Sequence, residues 1–258
     1  MNKIVGICLG AWSLSFAHII KDNDKIIIDK LHKIIHNGNP KKHLTDYLIN
    51  NDITDSNQII ATGRKFRKNL NITNISEVEA SEYALSFLIN KYNYPKLDAV
   101  ASLGAETFLV YGMDNEQHIK SVNAKNKCAS GTGEFFLQQL RRMDISLDEA
   151  MNSDANANAI PYKVSGRCSV FCKSDCTHAL NIGIDKSKIV NGLASMIADK
   201  IIELLPHNIQ SNILIVGGVS KNNLVIGFLK KAYPNIIIPN EADYFEAIGA
   251  GIYGLNLN

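Results

Sequence analysis

The first part of the chain consists of apolar segments separated by a single glycine or by short polar turns. KIVGICL is followed by Gly10, SLSFAHII comes next, and the polar turn KDND precedes KIIIDKLH. Apolar runs of this length that end at glycine or at polar turn residues are typical of antiparallel strands. The pattern therefore predicts a three-stranded meander at the start of the chain.

The same order of segments occurs a second time. LDAVASL is followed by Gly104, TFLVYGM, the polar turn DNEQ and HIKSVNA, and Gly104 lies 94 residues after Gly10. When Gly10-Ala11 is aligned with Gly104-Ala105, the two polar turns fall within one residue of each other. Such a repetition indicates an internal duplication, although two unrelated hairpins could produce it by coincidence.

Helical periodicity dominates the segments between and after the two meanders. Ser76 and Glu79 form a capping box at the start of SEVEASEYALSFLINKY, and SKIVNGLASMIADKIIELL has one broad apolar stripe. Further on, the strand NILIV precedes Gly217-Gly218, and the chain closes with the strand NIIIP and the glycine-spaced helix YFEAIGAGIYGL. Two strand-rich units interleaved with helices predict an α/β fold.

Composition and charge change this picture little, but they exclude several classes of function. The chain has 258 residues, 46% hydrophobic and 20% charged, with a net charge of +2, so no global field favours nucleic acid or a membrane surface. The start, MNKIVGICLG, lacks the features of a signal peptide, and no apolar run approaches about 18 residues. The protein is therefore predicted to be cytoplasmic, where a cysteine cluster favours metal or redox chemistry over disulfides.

Two glycine-containing segments are candidate binding sites for an anionic group. KCASGTGEFF places Cys128 ahead of Gly131-Thr132-Gly133, which lead into a helix. Converging backbone N–H groups and the helix dipole favour an anion there, and a phosphate and an anionic iron–sulfur cluster both fit. In LIVGGVSKN, Gly217-Gly218 would let a nucleotide approach the backbone closely. Both segments are also compatible with structural turns that carry no ligand.

Three of the five cysteines lie in one segment, GRCSVFCKSDCTHAL. If the segment is helical, Cys168, Cys172 and Cys176 lie on one face because each is four residues from the next. This spacing is wider than the CxxC loops of zinc knuckles and ferredoxins, so neither kind of site is predicted. Three possibilities remain open: a stripe of buried thiols, three ligands that join Cys128 on one cubane cluster, or one cysteine that supplies part of a cluster at a dimer axis.

Four motifs in order connect the chain with a known family. NKCASGTGEFFLQQLRRM, GRCSVFCKSD, LIVGGVSKN and EAIGAG together resemble the activators of 2-hydroxyacyl-CoA dehydratases and the related ATPase subunits of benzoyl-CoA reductases. The resemblance is strong from residue 97 to the end and continues in order over residues 1–96, including ATGR. It implies an actin-like (ribonuclease H-like) fold with two duplicated βββαβα lobes, residues 1–96 and 97–258, whose closing helix packs back toward the N-terminal lobe.

The resemblance also implies cofactors and the residues that bind them. One [4Fe–4S] cluster would lie at the axis of a homodimer, held by Cys128 and Cys168 of each subunit, with Cys172 and Cys176 as packed thiols or as neighbours that tune the cluster. ATP or ADP with Mg²⁺ would bind at four glycine-containing turns. Their residues are Gly10, Ala11, Trp12, Ser13, Gly104, Ala105, Gly131, Thr132, Gly133, Gly217, Gly218, Lys221 and Asn222.

At two positions the chain departs from the family pattern. Cys8 stands where the family's first phosphate turn has an aspartate that serves magnesium, and Ser102 stands where the second turn has an acidic residue. Magnesium prefers hard oxygen ligands, so Cys8 is interpreted as a buried thiol of the first strand. Glu106 is the nearest carboxylate in either turn. It is therefore predicted to support magnesium or to orient the attacking water, and Ser102 is the second catalytic candidate.

The function that the resemblance implies is that of an activase in anaerobic metabolism. ATP hydrolysis would drive one low-potential electron from the cluster to a partner iron–sulfur dehydratase or reductase, with flavodoxin or ferredoxin as the electron donor. Two alternatives stay open. A sugar kinase of the same superfamily would need a carboxylate base where Cys8 and Ser102 stand, and a degenerate lobe would bind nucleotide without hydrolysing it.

Overall fold

A computed structural model describes residues 2–23, 25–53, 58–63, 71–124, 132–152 and 160–257 of the chain. The chain divides into two compact units. The first unit comprises Met1–Pro95, Gln117–Ile119 and Asn240–Asn258, and the second comprises Lys96–Glu116 and Lys120–Pro239.

The described residues form the two predicted meanders and the predicted helices between and after them, together with the strand β4, which the apolar pattern does not predict. In chain order the elements are β1 (Asn2–Leu9), β2 (Ser13–Asp22), β3 (Lys25–Ile35), α1 (Pro40–Asn50), β4 (Ile59–Thr62), α2 (Glu77–Tyr92), β5 (Ala99–Leu103), β6 (Phe108–Met113), β7 (Ile119–Asn123), α3 (Gly133–Arg142), α4 (Leu147–Asn152), α5 (Ser169–Asn181), α6 (Lys186–Ile202), β8 (Ile213–Val216), α7 (Asn223–Ala232), β9 (Ile236–Ile237) and α8 (Phe245–Leu257). No helix within these ranges is long and apolar enough to cross a membrane.

The first unit is built on a four-stranded sheet with the order β3-β2-β1-β4. β1 pairs antiparallel with β2 and parallel with β4. One face of the sheet packs against α1 through residues such as Leu44 and Tyr47, and the other face packs against α8. The predicted capping box of α2 is confirmed, because the Glu79 N–H donates to the Ser76 hydroxyl at 3.1 Å and the Ser76 N–H donates to the Glu79 carboxylate at 2.9 Å.

The second unit repeats this plan with one more strand. Its sheet has the order β7-β6-β5-β8-β9, in which β5 pairs antiparallel with β6 and parallel with β8. A large apolar core lies between this sheet and the helices α3, α5, α6 and α7. The predicted apolar stripe of α6 forms part of that core, since Ile189, Val190, Leu193, Ile197 and Ile201 are all buried.

The first turn of each meander has the same geometry. The Gly10 N–H donates to the Ser13 carbonyl at 3.0 Å, and the Gly104 N–H donates to the Thr107 carbonyl at 3.0 Å. In each turn a Cβ at the glycine would also lie close to the carbonyl that accepts this hydrogen bond. The distances are 2.9 Å to Ser13 O and 3.2 Å to Thr107 O. The sequence alignment of Gly10 with Gly104 therefore corresponds to one structural turn used twice.

A second glycine position is also repeated in the two units. It follows the strand that pairs in parallel with the first strand of each meander, namely β4 beside β1 and β8 beside β5. Gly63 follows β4 with φ +105°, and Gly217 follows β8 with φ +88°. A Cβ at Gly63 would lie 2.5 Å from Leu9 O, and a Cβ at Gly217 would lie 2.6 Å from Leu103 O. Positive φ and close backbone approach both require glycine here. The duplication thus extends to the fourth strand, which sequence similarity alone does not reveal.

We expect Gly192→Ala to destabilise the second unit. Gly192 lies in the middle of α6, where a Cβ would overlap the carbonyl oxygen of Tyr162. The Tyr162 N–H also donates to the Lys188 carbonyl at 2.8 Å, so the segment around Tyr162 is held against the helix. The segment that crosses α6 would have to move, which costs about 1–3 kcal/mol for overpacking of this kind. Urea denaturation followed by circular dichroism measures the difference.

Gly227→Ala is the matched control for this prediction. Gly227 lies within α7, also in the second unit, and a Cβ there would meet nothing within 4 Å. Alanine is the better helix former, so this variant should gain up to about 1 kcal/mol. Equal stability of the two variants would contradict the close approach at Gly192.

Candidate functional sites

Cys168 lies at the start of α5, outside the helix itself. It is the N-cap residue, with extended backbone (φ −149°, ψ 138°), and its side chain makes no capping hydrogen bond. The thiol is half-buried, and two side chains that follow it, Val170 and Phe171, are 68% and 64% exposed. A sulfur ligand at a helix N-terminus lies in a field that favours an anionic group. The residue therefore fits the role of an iron–sulfur ligand.

Cys172 and Cys176 have a different environment from Cys168. Both thiols are buried, at 0% and 3% exposure, within the apolar core of the second unit. A hydrogen bond from Cys172 lowers the pKa of the Cys176 thiol. The helix begins at Ser169, so Cys172 and Cys176 lie within it and Cys168 precedes it as the N-cap residue. These two thiols are packed core residues.

Cys128, the other predicted ligand, lies outside the described residues, as does Gly131. Within the described ranges there is no group of three or more histidine, cysteine or acidic side chains arranged to hold a metal ion. The pairing of Cys128 with Cys168 therefore stays a prediction.

The N-terminus of α3 lies against the second phosphate turn predicted from the sequence. Thr132 is the N-cap, and its hydroxyl accepts from the Phe135 N–H at 3.3 Å. The Glu134 N–H donates to the Ala105 carbonyl at 2.9 Å, and a Cβ at Gly133 would lie 3.3 Å from Gly104 O. The structure thus brings Thr132 and Gly133 together with Gly104 and Ala105, which lie far apart in the sequence.

The turn after β8 lies at the same place. A Cβ at Gly133 would lie 2.8 Å from a methyl group of Val219, which belongs to the short 3₁₀ turn Gly218–Lys221. Asn222 caps α7 by accepting from the Val225 N–H at 3.1 Å, while Lys221 is exposed. Ser220 is buried, and its hydroxyl has no hydrogen-bond partner among the described residues. Three of the four predicted nucleotide-binding turns therefore converge within the second unit.

The predicted catalytic pair, Ser102 and Glu106, is divided between two environments. Ser102 is a buried residue of β5 in register with Val216, whereas Glu106 is exposed in the turn between β5 and β6. The exposed Glu106 carboxylate is accessible to solvent at this turn, while the Ser102 side chain is buried. The two catalytic candidates therefore differ in exposure, and their roles stay predictions.

The first predicted phosphate turn, in the first unit, is held by a residue that the sequence did not single out. The buried His36 donates through Nε2 to the Gly10 carbonyl at 3.2 Å, and its backbone N–H donates to the Trp12 carbonyl at 3.2 Å. Its Nδ1 accepts from the Gly38 N–H at 3.1 Å, which fixes the tautomer. His36 therefore fixes the conformation of the turn that contains Ala11 and Ser13.

Cys8 lies at the end of β1 and contacts an acidic residue from the other end of the chain. Its thiol donates to Oε2 of Glu246 at 3.0 Å. Burial and the neighbouring Glu246 carboxylate raise the pKa of this thiol well above its usual range. The thiol is thus protonated at neutral pH. The sequence did not single out Glu246, because nothing in it indicates a contact between residues 238 positions apart.

A cleft of about 380 Å³ lies beside α6 in the second unit. Its lining includes Lys163, Arg167, Asp199, Lys200 and Glu203, so both signs of charge face it. Of the predicted site residues that the structure describes, none lines this cleft. It carries no feature that assigns it a ligand.

The repeated meander, the parallel fourth strand and the paired glycine turns define an α/β fold of the actin-like ATPase type. Comparison with known proteins assigns the chain to one family of this fold. Residues 61–254 match the model of the BadF/BadG/BcrA/BcrD ATPase family, and the chain belongs to this family.

Relatives of known role agree with this assignment. The chain is 23% identical over 252 residues to the (R)-2-hydroxyglutaryl-CoA dehydratase activating ATPase of Acidaminococcus fermentans, covering 96% of this chain and 95% of that one. It is 24% identical over 184 residues to the 2-hydroxyisocaproyl-CoA dehydratase activator of Clostridioides difficile. The match covers 70% of this chain and 67% of that protein. The structure of the activator of the 2-hydroxyisocaproyl-CoA dehydratase from Clostridium difficile with bound ADPNP superposes with a TM-score of 0.83 at 20% identity, covering 99% of this chain and 95% of that chain.

The contrast among the three thiols predicts their reactivity. In cluster-free protein, a short pulse of iodoacetamide should label Cys168 at least about tenfold faster than Cys172 or Cys176, because the latter react only when the core opens locally. Peptide mass spectrometry measures the labelling at each site. In 6 M guanidinium (about the concentration that unfolds most domains) the rates should become similar. Equal labelling of Cys168 and Cys172 in the native protein would contradict the burial described above.

Proposed function

We propose that this protein is an ATP-dependent electron-transfer activase. In this proposal a homodimer with one [4Fe–4S] cluster couples ATP hydrolysis to low-potential one-electron transfer onto a partner iron–sulfur acyl-CoA dehydratase or reductase. Membership of an ATPase family whose relatives are dehydratase activators supports it. The single structural observation that carries it is the position of Cys168, half-buried and uncapped at the N-terminus of a helix in the second unit.

The residues proposed to hold the cluster are Cys128 and Cys168 of two protomers. When bound, an iron–sulfur cluster supplies one-electron chemistry at low potential. Cys168 contributes a sulfur ligand at the α5 N-terminus, where the helix dipole favours the more negative form of a bound group. Val170 and Phe171, both more than 60% exposed, provide the apolar surface beside this ligand on which a second protomer would pack.

The residues proposed to bind ATP or ADP lie on the glycine-containing turns. In the second unit these are Gly104, Ala105, Thr132, Gly133 and the Gly217–Asn222 turn, which lie against one another. Backbone N–H groups at such turns and at a helix N-terminus bind phosphate oxygens. The buried Ser220 hydroxyl, which has no partner among the described residues, adds a further donor there.

Partner and donor follow from the same proposal. The electron acceptor would be an iron–sulfur dehydratase or reductase, because relatives of this chain activate 2-hydroxyacyl-CoA dehydratases and another relative is a component of the benzoyl-CoA reductase of Thauera aromatica. Flavodoxin or ferredoxin would supply the electron, in the cytoplasm.

One observation favours a second candidate function, a nucleotide-binding module without hydrolysis. The two positions at which acidic residues are expected hold a protonated thiol, Cys8, and a buried hydroxyl, Ser102. Calorimetry that detects ADP binding, together with an absence of phosphate release even when the partner enzyme is present, would favour this function over the activase.

Replacement of Cys168 should remove the cluster. Anaerobically purified and reconstituted wild-type protein should be brown, with about four iron atoms per dimer. Cys168→Ala should hold little iron, because a ligand thiolate is lost. Cys176→Ala makes the same chemical change in the buried core and should keep its iron and its reduced-state EPR signal. Full iron content in Cys168→Ala, or a colourless wild-type preparation, would contradict the proposal.

Glu106→Gln should abolish ATP turnover while leaving iron content intact. The variant keeps the shape of the side chain at the β5–β6 turn but removes the charge that would orient the attacking water. Loss of such a positioning group lowers the turnover number by about 100-fold or more. Glu116→Gln, at another exposed glutamate of the second unit, is the control and should hydrolyse ATP like the wild type. Normal turnover in Glu106→Gln would remove Glu106 from the mechanism.

A further inference from the structure

The end of β1 presents a problem for any nucleotide that binds with a divalent cation. Mg²⁺ is held by hard oxygen ligands, and the last side chain of β1 on the face that α8 covers is the Cys8 thiol. We propose that Glu246, carried by the first turn of α8, is the carboxylate that serves the nucleotide-bound Mg²⁺ at this strand end, and that Cys8 positions it through the thiol hydrogen bond. The proposal rests on the proposed binding of ATP or ADP.

The position of Cys8 is the first step. β1 and β4 run parallel, so their carboxyl ends lie at one edge of the sheet, where Cys8 is in register with Thr62. A glycine follows each strand, Gly10 after β1 and Gly63 after β4. At each one, a neighbouring backbone carbonyl lies within 3 Å of where a Cβ would be. In α/β sheets, ligands bind outside the carboxyl ends of the strands. Cys8 therefore lies where a bound phosphate and its cation would be expected.

Cys8 is a donor at this edge and does not itself fit a magnesium ligand. The S–H group points at Oε2 of Glu246 over 3.0 Å. A neutral thiol is a poor ligand for a hard cation, whereas the carboxylate that it contacts is a good one.

The fold fixes Glu246 at this place. A Cβ at Gly6 of β1 would overlap the carbonyl oxygen of Ala247, so the backbone of α8 lies directly on the strand. A Cβ at Gly251 would lie 2.5 Å from the Ile19 side chain, which fixes the next turn of α8 against β2. Glu246 is in the first turn of the helix, where a carboxylate is favoured by the helix dipole. Its reach toward Cys8 is thus set by rigid elements and not by a loop.

Thr62 provides an independent sign of a polar ligand at the same edge. Its side chain is fully buried, and its hydroxyl has no hydrogen-bond partner among the described residues. Because Cys8 and Thr62 are in register on neighbouring parallel strands, they lie on the same face of the sheet, the face that α8 covers. A buried hydroxyl almost always has a partner. Together with Glu246 it offers the oxygen donors that Mg²⁺ prefers, so the residues present fit the cation.

The measurement that tests this is the coupling between Mg²⁺ and ADP. Calorimetry gives the ADP dissociation constant with Mg²⁺ and with EDTA, and in the wild type Mg²⁺ should tighten ADP binding at least about tenfold. In Glu246→Gln this tightening should fall to less than about twofold, while ADP affinity in EDTA stays the same. Mn²⁺ EPR in the presence of ADP gives an independent readout of the cation.

The variants separate positioning from mere structure. Glutamine keeps the shape of Glu246 and can accept the same thiol hydrogen bond, so a purely structural glutamate would leave the coupling intact. Cys8→Asp combined with Glu246→Gln should restore most of the coupling, because the carboxylate returns on β1. Asp29→Asn removes the same charge from an exposed position of the first unit and should change nothing.

The outcomes distinguish this inference from the proposed function. If wild-type protein binds ADP in neither condition, nucleotide binding itself fails and the inference fails with it. If the wild type shows the coupling and Glu246→Gln keeps it, the inference is overturned and the function stands. If Glu246→Gln does not fold, Cys8→Asp is the deciding variant. Its second carboxylate should increase the effect of Mg²⁺ on the ADP dissociation constant, and an unchanged effect would overturn the proposal.

Discussion

The direct contact of α8 with β1 and α2 is the constraint on which the first unit depends. Side chains at Gly6 or Gly249 would overlap the carbonyl oxygens of Ala247 and Ala80, so the helix backbone lies on its neighbours without intervening side chains. The last helix of the chain is thereby held against the first strand. That contact completes the apolar core on this face of the sheet, and it also brings Glu246 to the thiol of Cys8.

Close backbone approach also governs the second unit. The turn after β5, the N-terminus of α3 and the turn after β8 approach one another through Gly104, Gly133 and Gly217, and each of these positions leaves little or no room for a Cβ. The absence of a Cβ at these glycines therefore lets the three segments pack closely. Glycine-containing turns next to a helix N-terminus are common phosphate-binding elements, which suits the proposed ATP or ADP.

The three neighbouring cysteines show how capping decides chemistry. The helix that contains this segment begins one residue after Cys168, which leaves that thiol at a polar helix end while Cys172 and Cys176 turn into the apolar core. Equal spacing in the sequence thus produces two different environments. The difference arises because an N-cap residue has extended backbone and so does not continue the helical face.

The sequence by itself determined the two meanders and the long helices, the duplication seen at Gly10 and Gly104, and the capping box of α2, because each depends on local periodicity, turn residues or capping. It also predicted that Gly104, Gly133 and Gly217 belong to binding turns. Only the tertiary structure decided which of Cys168, Cys172 and Cys176 is buried, that Gly63 repeats the role of Gly217, and that Glu246 meets Cys8. Those outcomes depend on packing between distant segments, to which no local pattern of residues corresponds.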